Sequence, residues 1–339
     1  MGKKKEIVIT ESQLELLIAE ESGYAKVMEP LAKYINGLLA EASLNFMRKF
    51  NSQKGPETSW EDYLAETFED GEEILDWTFD KIFLQAMGIN FLDEFNLFLL
   101  YTTDKAGAMN YDMSTEVKNG DEPGHPVPSV NVGISILLYL SDVGNPAGTI
   151  MHELTHVYSF CQMAYKKGYN YANNYMKNNY PQKAFELNTN YNDKTVGIDE
   201  RNERLRNYWL SFLVYIFNIE ELKANTSGLY QAIDSQIKKG EKLDIKDIYN
   251  KSGYARDLFQ PMDTLLNIIQ KNEANFVQYI MKKQEQSNGQ YADVFPSTKG
   301  KSVSAYQRRL YNALSKLRNK FEKKLRRIIE YYYIENKNG

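Results

Sequence analysis

The chain has 339 residues, 42% of them hydrophobic and 25% charged, the composition of a folded globular protein with room for one large domain or two modest ones. Its net charge of −4, from 41 Lys and Arg against 45 Asp and Glu, argues against a nucleic-acid or polyanion binder overall. A single cysteine, Cys161, excludes an intramolecular disulfide and fits a reducing compartment.

The opening, MGKKKEIVITESQ, is basic and then acidic with no apolar core, so no signal peptide is read there, and Glu6 breaks the myristoylation pattern. Ile7-Val8-Ile9 reads as a short extended segment, and Thr10 with Gln13 forms a capping-box pair ahead of a helix through LELLIAEE. The stretch VITESQLELLIAE resembles the openings of many bacteriophage-encoded proteins. That resemblance implies a phage origin, with the protein in the cytoplasm of the producing cell or incorporated in a virion. Met28, Leu31, Tyr34, Ile35, Leu38 and Leu39 then recur at helical spacing over 25–50. NSQKGPETS (51–59) breaks that pattern, and the acidic amphipathic stretch from Trp60 to Met87 reads as a helix with a solvated face.

EFNLFLLYTT (94–103) and SVNVGISILLYLS (129–141) are rich in β-branched and apolar residues, with alternation at Val130, Val132, Ile134 and Ile136. Between them NGDEPGHPVPS (119–129) holds three of the nine prolines and reads as loop. Two or three strands are therefore expected directly before a helix that opens at Asn145-Pro146, an N-cap followed by proline at the first helical position. ISILLYL (134–140) is the longest apolar run and is too short to span a bilayer, so no membrane partner is expected. GYNYANNYMKNNYPQ (168–182) reads as irregular loop. The rest reads as helical: DERNERLRNYWLSFLVYIF, IEELKANTSGLYQAIDSQI, two helices around 253–287, a linker over 285–302 and a terminal helix from about 303 to 334. The expected fold is α+β and predominantly helical. Residues 1–90 form an N-terminal helical region, 91–240 a core with a small sheet, and 241–339 a C-terminal helical region ending in a basic helix.

Inside the helix from Pro146 lies TIMHELTHVY, which holds two of the chain's three histidines four residues apart, with a glutamate after the first. With so few histidines, chance places a pair at this spacing in roughly 2% of such chains, and the glutamate lowers that to roughly 0.1%. Residues four apart share a helix face, so His152 and His156 can present two imidazole nitrogens to one metal ion. Glu153 lies about 100° round from His152, too far to bind the same ion and well placed to take a proton from a water beside it. Zinc with three protein ligands keeps a position for water, lowers that water's pKa and polarises a scissile carbonyl. Cys161, about 140° round from His156, reads as a packing residue.

His152-Glu153-Leu154-Thr155-His156-Val157 resembles the zinc-binding motif of the zincin metallopeptidases, in which a small sheet precedes the active-site helix. The resemblance implies Zn²⁺ as cofactor, a peptide or protein as substrate, Glu153 as general base, and an edge strand, here SVNVGISIL, that binds substrate backbone by strand addition. A third histidine at the usual downstream spacing is absent, since Ser159 and Gln162 stand where the pattern needs glycine and histidine. His125, the remaining histidine, lies upstream in the proline-rich loop. A carboxylate on a later helix, the gluzincin arrangement, is left, and the candidates are Glu221 and Glu186. IFNIEELKANTSGLYQ resembles the third-ligand helices of zincin-like proteins encoded by phages and their hosts, with Glu221-Leu222-Lys223-Ala224 as E-x-x-A followed by Gly228 and Tyr230. Glu220 and Glu221 point about 100° apart, so one alone can serve, and the resemblance favours Glu221. His125, Tyr175 and Tyr180 are candidate oxyanion stabilisers among which nothing selects. The alternative is a virion structural or host-interaction protein that keeps a zincin fold as scaffold.

The terminal helix carries an apolar stripe at Leu310, Leu314, Leu317, Phe321, Leu325, Ile328 and Tyr332, and a basic face from Arg308 to Arg327. The stripe predicts a core helix. The basic face leaves open docking to another subunit, such as one of a virion, or a phosphate-backbone contact.

Overall fold

The structure, a computed structural model, describes residues 11–53, 59–102, 111–112, 123–140, 146–179, 197–237, 244–286 and 295–338. Twelve α-helices and four strands occur among them, so the chain is predominantly helical α+β, as expected. No helix among the described residues is long and apolar enough to cross a membrane. Two compact units are present, one of Ala19–Met176 with Ala224–Ala255, the other of Met1–Ile18, Lys177–Lys223 and Arg256–Gly339.

The first unit holds the sheet. Helix α1 (Glu11–Gln53) buries Met28, Leu31, Ile35 and Leu39, as their spacing predicts, while Tyr34 stays exposed. The segment 60–87 is not one amphipathic helix. It forms α2 (Trp60–Thr67), β1 (Glu73–Phe79) and α3 (Lys81–Ala86). Gly71, at φ +89°, takes the left-handed backbone that separates α2 from β1, and the Asp80 carboxylate caps α3 by accepting from Phe83 N–H at 2.9 Å. The acidic residues are solvated as expected, but Glu73 and Asp76 lie on a strand whose Trp77, Thr78 and Phe79 favour extended backbone.

Strands β2 (Phe95–Leu100), β3 (Tyr111–Asp112) and β4 (Val130–Ser135) complete a sheet in the order β1-β2-β4-β3. β1 and β2 are antiparallel; β2 and β4 are parallel, in register from Phe95 with Val130 to Leu100 with Ser135. That register stacks Phe95, Leu97 and Leu99 beside Val130, Val132 and Ile134, all buried. The expected edge strand is instead interior. β4 has β2 on one side and β3 on the other, through Tyr111 with Val132 and Asp112 with Asn131, and its side chains are buried apart from half-buried Asn131. Its side chains suit a strand covered on both faces rather than the half-exposed edge read from the sequence.

From β4 the chain passes through α4 (Leu137–Leu140) to α5 (Pro146–Lys167), the histidine helix, which starts at the expected proline. The segment after it is not loop. Gly168, at φ +89°, ends α5, and α6 (Tyr169–Asn179) follows, burying Ala172 and Met176 one turn apart.

The second unit contains α7 (Ile198–Phe217), the 3₁₀ turn Glu273–Asn275, α11 (Phe276–Gln286), α12 (Val303–Asn338) and most of α10 (Gly253–Lys271). Within it Leu310, Leu314, Leu317, Phe321, Leu325 and Ile328 of α12 are all buried, so these members of the apolar stripe belong to this chain's own core, and the Tyr332 side chain lies outside those described. Arg318 donates from Nε to Asp263 at 2.9 Å, and Gln307 donates to the Ile269 carbonyl at 2.7 Å. Leu314→Ala is predicted to cost about 2–5 kcal/mol, read as a lower urea midpoint at unchanged slope. Removal of 303–339 should abolish the cooperative transition; a soluble truncated chain that unfolds at the original midpoint would contradict the core assignment.

Candidate metal centre

Helix α5 is apolar around most of its surface, and Glu153 is its single acidic residue. Both histidines are buried, His152 at 7% exposure and His156 at 6%. Their Nε2 atoms face each other at 3.1 Å. Two unprotonated ring nitrogens repel at that distance, so a proton or a metal ion belongs between them. Tetrahedral zinc with bonds of 2.0–2.1 Å sets its nitrogen ligands about 3.3 Å apart, close to the separation found.

The third residue comes from α8 (Ile219–Ile237). Asn218 joins α7 to α8, and its Oδ1 accepts from Glu220 N–H at 2.8 Å. This cap fixes where the helix begins and hence which face each glutamate takes. Glu220 turns aside and accepts from Lys223 Nζ at 2.9 Å. Glu221 is buried at 5% exposure, and its carboxylate forms a cluster with His152 and His156 whose three donor atoms lie within 4.8 Å of one another. An imidazole pair with a carboxylate is a borderline donor set that suits zinc and other first-row transition metals. Glu153, with its side chain 13% exposed, sets Oε1 3.6 Å from His152 Nε2, beside the cluster and outside the three.

The expected residues divide as follows. His152, His156 and Glu221 come together, with Glu153 next to them. His125 lies in an exposed segment and belongs to no cluster of this kind among the described residues, and Tyr175 is half-buried on α6. Glu186, Tyr180 and the 7–9 segment fall outside the described residues. Cys161 is fully buried, and burial pushes its thiol far above the usual range, as fits a packing residue.

Sequence reasoning missed Tyr254. Its hydroxyl lies 3.0 Å from His152 Nδ1 and donates to Asn225 Oδ1 at 3.2 Å. It sits near the start of α10, just past buried Ser252, whose hydroxyl caps the helix by accepting from Ala255 N–H. With 25 tyrosines in the chain, nothing in the local sequence marks this one. Gly148 of α5 and Gly228 of α8 make the slot for its ring. A Cβ on Gly228 would fall 2.3 Å from the Tyr254 hydroxyl and 2.7 Å from the Gly148 carbonyl oxygen, and one on Gly148 would fall 2.7 Å from the ring and 3.1 Å from Ala232. Gly228 and Ala232 make the close approach of α8 to α5, and Ala224, fully buried, lies a turn nearer Glu221.

No protein-family profile, no curated protein and no solved structure matches this chain. What fold and site define is a helical α+β protein with a buried His-His-Glu cluster able to bind a metal ion. Glycine-to-alanine changes test the helix crossing by their sign. Gly37→Ala, at an exposed α1 position with nothing within 4 Å, is predicted to stabilise by about 0.5–1 kcal/mol. Gly228→Ala gains the same propensity yet must push against backbone, and should destabilise by about 1–3 kcal/mol. Equal shifts of both melting temperatures would contradict the crossing.

Proposed function

We propose that this protein is a zinc-dependent metallopeptidase of the gluzincin type, with Zn²⁺ held by His152, His156 and Glu221. The observation that carries the reading is the buried cluster of these three side chains with one further carboxylate, Glu153, beside it at partial exposure. Zinc, when bound, supplies a Lewis acid that polarises the scissile carbonyl and makes water a better nucleophile. Glu153 takes the proton from the attacking water and returns it to the departing amine, which balances the hydrolysis of one peptide bond. Its side chain is 13% exposed, slightly more than the 9% of His152. A phage origin is supported by the resemblance of VITESQLELLIAE to phage-protein openings, and the exposed basic side chains of α12, such as Arg308, Lys316 and Lys323, are the surface a virion partner would meet.

Glu153→Gln keeps the size of the side chain and removes its proton acceptor. It should retain zinc and fold while cutting casein hydrolysis by about a hundredfold or more. Loss of zinc in this variant, or unchanged turnover, would overturn the role given to Glu153. Glu221→Ala should bring zinc well below one per chain after gel filtration in dilute chelator, and Glu186→Ala should retain it. The opposite pair of results would move the third ligand to Glu186. One zinc per wild-type chain with no turnover on any denatured protein would favour the scaffold reading.

A further inference from the structure

We infer that Tyr254 and Asn225 form a hydrogen-bond relay that holds His152 in the Nδ1–H tautomer, leaving its Nε2 unprotonated towards His156. The metal-binding consequence rests on the reading above; the tautomer itself does not. Tyr254 has one hydroxyl proton. That proton goes to Asn225 Oδ1, 3.2 Å away, so the 3.0 Å contact with His152 must be made by Nδ1–H donating to the tyrosine oxygen. A neutral imidazole carries one N–H, and placing it on Nδ1 strips Nε2, the atom 3.1 Å from His156 Nε2. Metal-ligating histidines characteristically donate their second N–H in this way, which fixes both tautomer and ring orientation.

The relay is tied to the same helices as the cluster. Asn225 is one turn after Glu221 on α8, buried at 3%, so the residue that terminates the relay and the third ligand share a face. The tyrosine ring is seated between Gly148 and Gly228, one turn before His152 and one turn after Ala224 respectively, which leaves its hydroxyl little freedom to choose another partner. The relay has one competing arrangement. If the Asn225 amide were turned round, its NH₂ would donate to the tyrosine oxygen, the tyrosine would donate to Nδ1, and the proton would sit on Nε2, where it blocks a metal.

Histidine ¹⁵N shifts of the full-length apo protein read the tautomer directly, and three histidines give few resonances to assign. The expected result is an Nδ1–H tautomer for His152 in the wild type and in Asn225→Asp, whose carboxylate can only accept. Tyr254→Phe, which keeps the ring in its slot, and Asn225→Leu should both lose the preference. Zinc competition with a chromophoric chelator should show about 10–100-fold weaker binding in those two variants and wild-type-like binding in Asn225→Asp. Combining Tyr254→Phe with Asn225→Leu should bring no further loss, because either change alone already breaks the relay. An Nε2–H tautomer in the wild type overturns the relay. So does an unchanged tautomer in Tyr254→Phe. The expected tautomers with no zinc bound by any form would support the relay and overturn the metal reading.

Discussion

The close crossing of α5 and α8 is the constraint on which the rest of the structure depends. At Gly148 and Gly228 the two backbones approach so closely that a single methyl group would meet a carbonyl oxygen at 2.7 Å. The contacts order the helices in opposite directions: Gly148 lies by Gly228 and Ala232, while His152 and His156, one and two turns on, meet residues nearer the start of α8. Glu221, Asn225, Gly228 and Ala232 recur at intervals of three to four residues, so one stripe of α8 supplies a metal-competent carboxylate, the end of the Tyr254 relay and the contact surface. Bulkier residues at the crossing would part the helices and take the carboxylate away from the imidazoles.

That arrangement is costly for stability alone. Two imidazoles and a carboxylate, each more than nine-tenths buried, give up hydration that a trio of leucines would not miss. Buried charges persist in proteins where they are paired, hydrogen-bonded or bound to metal, and breaking up such a set leaves a residual charge that costs several kcal/mol. An ion among the three donors would pair both nitrogens and the carboxylate together. Glu153 is less buried than these three, as the proton exchange proposed for it would require.

Much of the site was legible in the sequence because its signals are local. The HELTH spacing needs one helix, Pro146 marks where that helix starts, and the apolar runs over 94–103 and 129–141 place strands ahead of it. That Glu220 and Glu221 could not both serve followed from the helical angle between neighbours, the resemblance of the E-x-x-A segment favoured Glu221, and the Asn218 cap makes that angle count. The errors arose where composition hid the pattern. Acidic residues over 60–80 masked the extended preference of Trp77, Thr78 and Phe79, and asparagines over 169–179 masked Ala172 and Met176. The interior place of β4 depends on its pairing with Tyr111 and Asp112 across a proline-rich stretch, a long-range fact that alternation within β4 does not carry. Tyr254 was invisible for the same reason, because it lies 102 residues from the histidine it contacts.

The central claim is that one metal ion is held jointly by two turns of α5 and the first turn of α8. Anomalous diffraction at the zinc edge from crystals grown with stoichiometric zinc tests it most directly. The account predicts a single strong peak about 2.0–2.2 Å from His152 Nε2, His156 Nε2 and a Glu221 carboxylate oxygen, with Glu153 outside bonding distance. A peak on other residues, or an ordered His152–His156 pair with no anomalous signal between them, would contradict it.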